Sequence, residues 1–245
     1  MKNIPFWKPT KYVLDGPHLR ASRNPDEVWP PSRLMADIIA KYYQVELPKY
    51  SKGNLLDLGC GKAPLYLIYK NHASNITCVD WDNSIHGHSH LDFTMDLNEK
   101  LKFDNDQFDT IILSDVLEHI REPKNLMSEI FRILKNEGHL LMNIPFLYWL
   151  HEEPYDYQRF TKYALINLSK SSGFEIIALN EIGGAPEVTS DILQKSTYSG
   201  RLGRRVSSTI YFLTTVFLNT KWGQKISKKS SLQFPYGYFL VLKKQ

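Results

Sequence analysis

The sequence predicts an α/β domain built on a mostly parallel β-sheet. Apolar segments of strand length alternate along the chain with segments of helical periodicity. The strand segments are apolar at successive positions, as expected for strands that helices cover on both faces. The first strand segment lies in LLDLGCGKAP at 55–64, where it runs into a glycine-rich turn followed by proline. Such a turn is typical of a strand that leads into a nucleotide-binding loop.

The N-terminal half is predicted to contain two helices and four strands. Residues 1–31 are rich in proline and aromatic side chains without periodicity, so we predict an irregular N-terminal arm. Ser32 is a suitable cap for a helix that runs to about residue 46. A proline in its first turn suits a second helix over 64–70. The apolar runs predict strands at 54–58, 76–79, 90–93 and 108–113.

The C-terminal half is predicted to contain two more helices before a long final connection. The first helix covers 123–134 and ends at the turn residues 136–138. Thr161 caps the second, which runs to about residue 171 with Gly173 beyond its end. The remaining apolar runs predict strands at 139–144, 174–179 and 236–242.

Composition and length suit one large globular domain. The chain has 245 residues, of which 42% are apolar and 23% are charged. It has no signal-peptide pattern and no apolar run of about 18 residues, so we expect a cytoplasmic protein without a membrane-spanning helix. Cys60 and Cys78 lack metal-binding spacing, and we expect both to be reduced, buried thiols.

The turn after the first strand departs from the dinucleotide-binding pattern, which has glycine at its first, third and sixth positions. Those positions are Gly59, Gly61 and Pro64 here, and Asp57 precedes them. A carboxylate there would repel a pyrophosphate but would suit a cationic ammonium or sulfonium group. Asp80 ends the next strand, where it can accept hydrogen bonds from ribose hydroxyls. A ribose and a cation in one ligand favour S-adenosylmethionine over NAD, although each aspartate alone could merely cap the following turn.

Four segments in order resemble the motifs of class I S-adenosylmethionine-dependent methyltransferases, in the subgroup called type 11. They are LLDLGCG at 55–61, VDWD at 79–82, MDLNEKLKFDNDQFDTIILSDVLEHI at 95–120 and RILKNEGHLLMNIP at 132–145. The resemblance extends over about residues 53–179, half of the chain. It implies a Rossmann-like sheet of seven strands with an antiparallel last strand, and S-adenosylmethionine as the cofactor.

The same resemblance implies which residues bind the cofactor. It departs from the family at Ala63, where many relatives have glycine, and this change is mild. The implied residues are Asp57, Gly59, Cys60 and Gly61 in the loop, Asp80 at the ribose, Trp81 on the adenine, Asp96 and Leu97 at the adenine amine, and Ser114 at the methionine end.

The acceptor side is predicted in the loops that follow the strands at 108–113 and 139–144. Methyl transfer needs the acceptor atom held in line, and a hydroxyl acceptor also needs a base. His151 is the first candidate base and His119 the second, because imidazole titrates near neutral pH. Each histidine could instead only order its loop.

The loop PFLYWLHEEPYDYQRFT at 145–161 is the most polar in the chain, and it lies between aromatic side chains that suit a sugar. It resembles an H-x-x-P-x-D-Y-x-R-x-T stretch of methyltransferases from bacterial surface-polysaccharide gene clusters. His151, Tyr157 and Arg159 are among the matching positions. Arg159 either binds an anionic group of the acceptor or pairs with a nearby carboxylate.

The stretch HGHSH at 86–90 predicts no metal site. His86, His88 and His90 would share one face of a strand, but the stretch contains a glycine and lacks further ligands. No acidic cluster elsewhere in the sequence argues for a metal ion.

More than fifty residues separate the last two predicted strands, and they form a cationic insertion. Residues 204–222 are a candidate apolar helix flanked by cations, suited to a membrane interface, to packing on the domain or to a dimer contact. After Asp191 the chain has ten lysines and arginines and no acidic residue. This asymmetry favours an anionic neighbour such as a membrane surface. Without a recognisable module, nucleic acid is not expected.

The prediction for the whole chain is an irregular arm at 1–31, a methyltransferase domain at 32–182 and 235–245, and a partly helical insertion at 183–234. The predicted function is O-methylation of a sugar hydroxyl in a glycan or a lipid-linked glycan precursor. A methyltransferase of quinones or other small metabolites is the first alternative. A cofactor-binding scaffold without catalysis is the second.

Overall fold

The computed structural model describes residues 1–83 and 87–245, so His86 of the histidine-rich stretch lies outside the described residues. Within the predicted irregular arm, residues 12–21 form an antiparallel hairpin of β1 (Tyr12–Asp15) and β2 (His18–Ala21), whereas residues 1–11 contain one short 3-10 turn and no strand. Tyr12 and Leu19 of the hairpin are buried in the core. Strands of four residues are too short to show a period in the sequence, which explains why the hairpin was missed.

Helix α1 (Arg33–Tyr50) follows the hairpin, and the α/β order that the sequence predicts follows α1. The next elements are β3 (Asn54–Leu58), α2 (Tyr66–Tyr69), β4 (Asn75–Asp80), β5 (Phe93–Thr94), β6 (Phe108–Ser114) and α3 (Pro123–Ile133). They are followed by β7 (Leu134–Pro145), α4 (Lys162–Ser171) and β8 (Phe174–Ile182). Thr161 caps α4 as predicted, because its side chain accepts a hydrogen bond from the Ala164 amide.

The described residues form a seven-stranded sheet with the order β5-β4-β3-β6-β7-β9-β8, where β9 is Gly237–Lys244. All neighbours are parallel except β9, which is antiparallel to β7 and to β8. This confirms the predicted sheet and its antiparallel last strand. The predicted turn at 136–138 is wrong, because β7 begins at Leu134 and the ladder to β6 is irregular before His139. Glu137 has a φ of 64° within that irregularity, so the turn residues mark a bulge inside a strand.

Apolar side chains cover both faces of the sheet, as the strand composition predicts. Leu55 of β3 packs into one buried cluster with α1 and the N-terminal hairpin. Its neighbour Leu56 points to the other face and packs into a second cluster with α3. Because β3 to β7 are parallel, their carboxyl ends lie at one edge of the sheet. The packing on both faces makes this sheet a rigid layer.

The insertion between β8 and β9 contains three helices, α5 (Ala185–Thr197), α6 (Gly200–Leu218) and α7 (Lys221–Ser230). The single helix predicted over 204–222 is wrong, because Thr220 ends the run and caps α7 through the Gly223 amide. Ile182 and Pro145 both pair with Gly237, so the insertion leaves the sheet at the carboxyl edge of β7. Over residues 1–83 and 87–245, no helix has both the length and the apolar character that crossing a bilayer requires.

Candidate active site

A cavity of about 370 Å³ lies at the carboxyl edge of β3, β4, β6 and β7. Its volume is within the range of small-molecule sites. Eight of the sequence-predicted site residues line it, namely Asp57, Gly59, Cys60, Gly61, Asp80, Trp81, Ser114 and His151. The structure therefore brings most of the predicted cofactor loop and one predicted catalytic residue to a single cavity.

The glycine loop after β3 is held by hydrogen bonds to the neighbouring strand. The amides of Gly59 and Cys60 donate to the Val79 carbonyl at 2.8 and 3.0 Å, and the Gly61 amide donates to Oδ2 of Asp80 at 3.0 Å. Gly59 has a φ of +77°, and a Cβ there would lie 2.4 Å from Cγ2 of Val116. Only glycine therefore fits at this position without moving the loop.

Asp57 lies at the floor of the cavity, almost fully buried. The Tyr69 hydroxyl donates to its Oδ2 at 2.7 Å. Burial raises the pKa of Asp57 to about 7, although the Tyr69 hydrogen bond opposes that rise. The group thus changes charge within the physiological range, and a cation in the cavity would favour its ionised form.

Asp96 and Leu97 do not line the cavity. The Asp96 carboxylate accepts hydrogen bonds from the amide and the side chain of Asn98, both at 2.9 Å. Leu97 is buried in the second cluster, which contains Leu56 and the apolar side chains of α3. Their predicted contact with the adenine stays a prediction. Trp81 does line the cavity, and its ring meets Tyr155 edge-on at 4.8 Å between centroids.

A charged group that the sequence analysis missed closes the cavity from the N-terminal side. Lys11, just before β1, places its Nζ 3.1 Å from Oδ2 of Asp115. The Asn143 side chain donates to Oδ1 of the same carboxylate, and the Ser114 hydroxyl donates to its Oδ2 at 3.3 Å. Burial lowers the pKa of Lys11, whereas the Asp115 carboxylate raises it. The net result is a pKa above its ordinary value. The sequence marks Asp115 as a candidate site residue because it directly follows strand β6. No pattern in the sequence marks Lys11 in this way.

The two candidate bases lie together, with their rings 4.7 Å apart, but only His151 lines the cavity. Nε2 of His151 is 3.6 Å from Oε1 of Glu118, and its Nδ1 is 3.2 Å from Oδ2 of Asp156. Burial lowers the pKa of His151, and the carboxylates of Glu118 and Asp156 raise it to above its ordinary value. Both ring nitrogens thus face carboxylates, and the base role of His151 and His119 stays a prediction.

The other two predicted catalytic residues lie outside the cavity lining. Arg159 forms a bidentate pair with Asp156, with Nη2 at 2.7 Å from Oδ2, and it also donates to the Trp149 carbonyl at 3.0 Å. Burial raises the pKa of Asp156, but Arg159 outweighs that effect and lowers it to about 2. The ion pair, one of the two roles considered for Arg159, is therefore present. Tyr157 is exposed, and its amide donates to the Glu118 carbonyl.

Part of the cavity lining is aromatic and contacts the insertion. Tyr148 lines the cavity, and Nζ of Lys195 on α5 lies 3.9 Å from the centroid of its ring. Next to it, the indoles of Trp29 and Trp149 are stacked at 5.2 Å between centroids. The loop after β7 is thus held between the N-terminal segment and α5.

The arrangement fits a ligand that carries both a ribose and a cation. The Asp80 carboxylate lies at the end of β4 beside a loop with positive φ angles, and the buried Asp57 lies on the same cavity. Comparison of the sequence with models of protein families supports this interpretation. The model of the methyltransferase domain family matches residues 31–179. No curated protein matches the chain in sequence.

Solved structures of methyltransferases share the fold. A methyltransferase that depends on S-adenosylmethionine, from Archaeoglobus fulgidus, is 17% identical with a TM-score of 0.56, over 87% of this chain and 94% of that one. The [4+2]-cyclase SpnF is 16% identical with a TM-score of 0.56, over 96% of this chain and 87% of that one. A Haemonchus contortus phosphoethanolamine N-methyltransferase is 15% identical with a TM-score of 0.52, over 90% of this chain and 57% of that one.

The family match extends over more than half of the chain, and the sheet order, the glycine loop and the cavity agree with it. The chain belongs to the methyltransferase domain family, with a Rossmann-like fold, and is a class I methyltransferase that uses S-adenosylmethionine as its cofactor.

Proposed function

We propose that the enzyme methylates a hydroxyl group of a sugar, in a glycan or in a lipid-linked glycan precursor. The observation that carries this proposal is the lining of the cavity, which combines an aromatic ring with several carboxylates. The side chains of Tyr148, Asp26, Glu27 and Glu152 all line the cavity, and Glu27 pairs with Lys62 next to the glycine loop. Carboxylates accept hydrogen bonds from sugar hydroxyls, and an aromatic ring covers the apolar face of a sugar.

The resemblance of the loop at 145–161 to methyltransferases of surface-polysaccharide gene clusters supports the same acceptor class. In the structure this loop contributes Pro145, Tyr148, His151 and Glu152 to the cavity. S-adenosylmethionine supplies the methyl group when it is bound. The residues of the chain then have to hold the acceptor hydroxyl in line and keep water away from it.

The experiment that tests the acceptor class is transfer of a labelled methyl group from S-adenosylmethionine into an extract of the source cells. The products are partitioned between organic and aqueous phases and are then treated with mild acid and glycosidases. Label in a glycan, or in an organic-phase product that becomes water-soluble on release, supports the proposal. Label only in small metabolites that resist glycosidases would replace it with the small-metabolite alternative. No transfer, with cofactor binding retained, would favour a non-catalytic scaffold.

We also propose that the insertion contacts an anionic membrane surface, where a lipid-linked acceptor would be found. Exposed apolar side chains lie along α6 and at the start of α7. Leu202 is 76% exposed and Phe212 is 63% exposed, and Leu213 and Trp222 are also exposed. The cations on the same two helices are Arg201, Arg204, Arg205, Lys221, Lys225, Lys228 and Lys229. Apolar side chains flanked by cations suit the interface of an anionic bilayer.

We expect the protein to sediment with vesicles that contain phosphatidylglycerol and not with vesicles of phosphatidylcholine alone. Replacing Leu213 and Trp222 with serine should reduce vesicle binding by about tenfold, because two exposed apolar side chains no longer enter the interface. The matched control is Tyr163→Ser on α4, where an aromatic residue that is even more exposed lies outside the insertion. Equal binding of all three proteins would contradict the membrane contact.

The charge of Asp57 should make cofactor binding depend on pH. Because the pKa of Asp57 is about 7, the group is neutral below that pH and becomes a carboxylate above it. We expect the affinity for S-adenosylmethionine to rise between about pH 6 and pH 8, with release of a proton on binding below pH 7. Calorimetry in buffers of different ionisation enthalpy measures both effects.

The control for this pH dependence is Asp57→Asn, which keeps the size of the side chain and cannot ionise. Its affinity for S-adenosylmethionine should be lower and should vary little over the same pH range. A variant with the same pH dependence as the original protein would show that another group is responsible.

A further inference from the structure

Glu118, His119 and His151 form a cluster of which only His151 lines the cavity of the proposed acceptor. Oε1 of Glu118 lies 3.7 Å from Nε2 of His119 and 3.6 Å from Nε2 of His151. One ligand atom from each of the three residues can be chosen so that all lie within 4.8 Å of one another. Glu118 and His119 come from the turn after β6 and His151 comes from the loop after β7, so two neighbouring strands bring the cluster together.

In the part of the chain that the structure describes, the carboxylate of Glu118 is buried without a hydrogen bond, and the groups beside it are the two imidazoles. The residue is 0% exposed, and neither carboxylate oxygen has a hydrogen-bond partner within residues 1–83 and 87–245. A buried carboxylate without hydrogen bonds is costly unless it is paired with charge or binds a metal ion. In the same part of the chain, Nε2 of His119 is also buried without a hydrogen-bond partner.

Both imidazoles are oriented so that Nε2 points toward the carboxylate. Nδ1 of His119 is 3.0 Å from the Tyr155 carbonyl, which can only accept, so Nδ1 carries the proton and Nε2 of the neutral ring has a free lone pair. Nδ1 of His151 is 3.2 Å from Oδ2 of Asp156, and Arg159 fixes that carboxylate. Histidines that bind metals are typically held through their other nitrogen by a carbonyl or a carboxylate, as Nδ1 of His119 is here. Nδ1 of His151 lies near the Asp156 carboxylate but makes no hydrogen bond within residues 1–83 and 87–245.

We propose that Glu118, His119 and His151 bind a divalent transition-metal ion. Two imidazole nitrogens and one carboxylate oxygen suit Zn²⁺, Co²⁺ or Mn²⁺ better than Mg²⁺ or Ca²⁺. Three protein ligands leave coordination positions for water or for an oxygen atom of a substrate. His151 lines the cavity, so the ion would lie at the wall of the acceptor site. This binding does not depend on which acceptor the enzyme uses.

The test is a titration of chelator-treated protein with Co²⁺, followed by visible absorption, together with elemental analysis of the protein as isolated. We expect saturation at about one Co²⁺ per chain, displacement by Zn²⁺ and a higher unfolding temperature with the metal bound. Glu118→Gln and His151→Ala should each weaken Co²⁺ binding by more than about tenfold. If Glu118→Gln does not fold, His151→Ala provides the same measurement, because that ring is partly exposed.

The matched control is the double variant His88→Ala/His90→Ala, which removes two histidines of the stretch at 86–90 and leaves the cluster intact. It should bind Co²⁺ like the original protein. The proposal is overturned if the original protein shows no saturable Co²⁺ absorption, if the control loses it, or if Glu118→Gln and His151→Ala retain it. None of these readouts requires methyl transfer, so failure of the metal site and failure of the proposed acceptor are distinguishable.

Discussion

Replacing Asp80 with alanine should weaken binding of S-adenosylmethionine by about 10- to 100-fold. Asp80 lies at the end of β4 on the cavity, and we expect its carboxylate to accept hydrogen bonds from the ribose of the cofactor. Hydrogen bonds to a charged group contribute about 1.5–3 kcal/mol, which corresponds to that loss of affinity. The carboxylate also accepts from the Gly61 and Trp81 amides, so the alanine variant loosens the loop as well. Calorimetry measures the affinity, and thermal unfolding separates it from any loss of stability.

Two further variants make this result specific. Asp82→Ala removes an exposed carboxylate two residues away and should leave the affinity unchanged. Asp80→Asn keeps one acceptor oxygen and should fall between the original protein and Asp80→Ala. Equal affinities of Asp80→Ala and the original protein would exclude the ribose-binding role.

Replacing Lys195 with methionine should lower the free energy of unfolding by about 3–5 kcal/mol. Nζ of Lys195 lies 2.7 Å from Oδ2 of Asp191, and the side chain of Lys195 is only 5% exposed. Burial lowers the pKa of Lys195 and raises the pKa of Asp191, and each partner opposes the shift of the other. Without Lys195, the Asp191 carboxylate stays buried without an opposite charge. Urea unfolding measures the change.

The double variant Lys195→Met/Asp191→Asn should recover part of that loss, because it leaves no unpaired charge. Lys225→Met on α7 is the matched control, since it removes an exposed cation of the same insertion and should change the free energy of unfolding by less than about 0.5 kcal/mol. If the double variant is as unstable as Lys195→Met alone, the loss comes from packing against the Tyr148 ring instead of from the charge.

The grouping of Asp57, the glycine turn and Asp80 on one cavity was predictable because its signals are local in the sequence. The strand with Asp57, the glycine turn and Asp80 each stand next to an apolar run, and parallel strands bring such carboxyl ends together. The turn at 136–138 was misinterpreted because a bulge inside a strand uses the same residue types as a turn.

The acceptor half was less predictable because its contacts join segments that are distant in the chain. Lys11 reaches Asp115 from the N-terminal hairpin, and Lys195 reaches Tyr148 from the insertion. Neither lysine stands in a pattern that distinguishes it from a surface residue. The boundary between α6 and α7 was also not predicted, because the apolar run at 204–222 continues past Thr220, which caps α7.

The pairing of Ile182 and Pro145 with Gly237 has a consequence for how this enzyme could be altered. The insertion begins and ends at one position of the β8–β9 hairpin, and the family match ends at residue 179, just before it. Its helices can therefore be exchanged for others of different length without shifting the register of any strand. Exchanging this insertion would alter the support that Lys195 gives to Tyr148 while the glycine loop stays untouched.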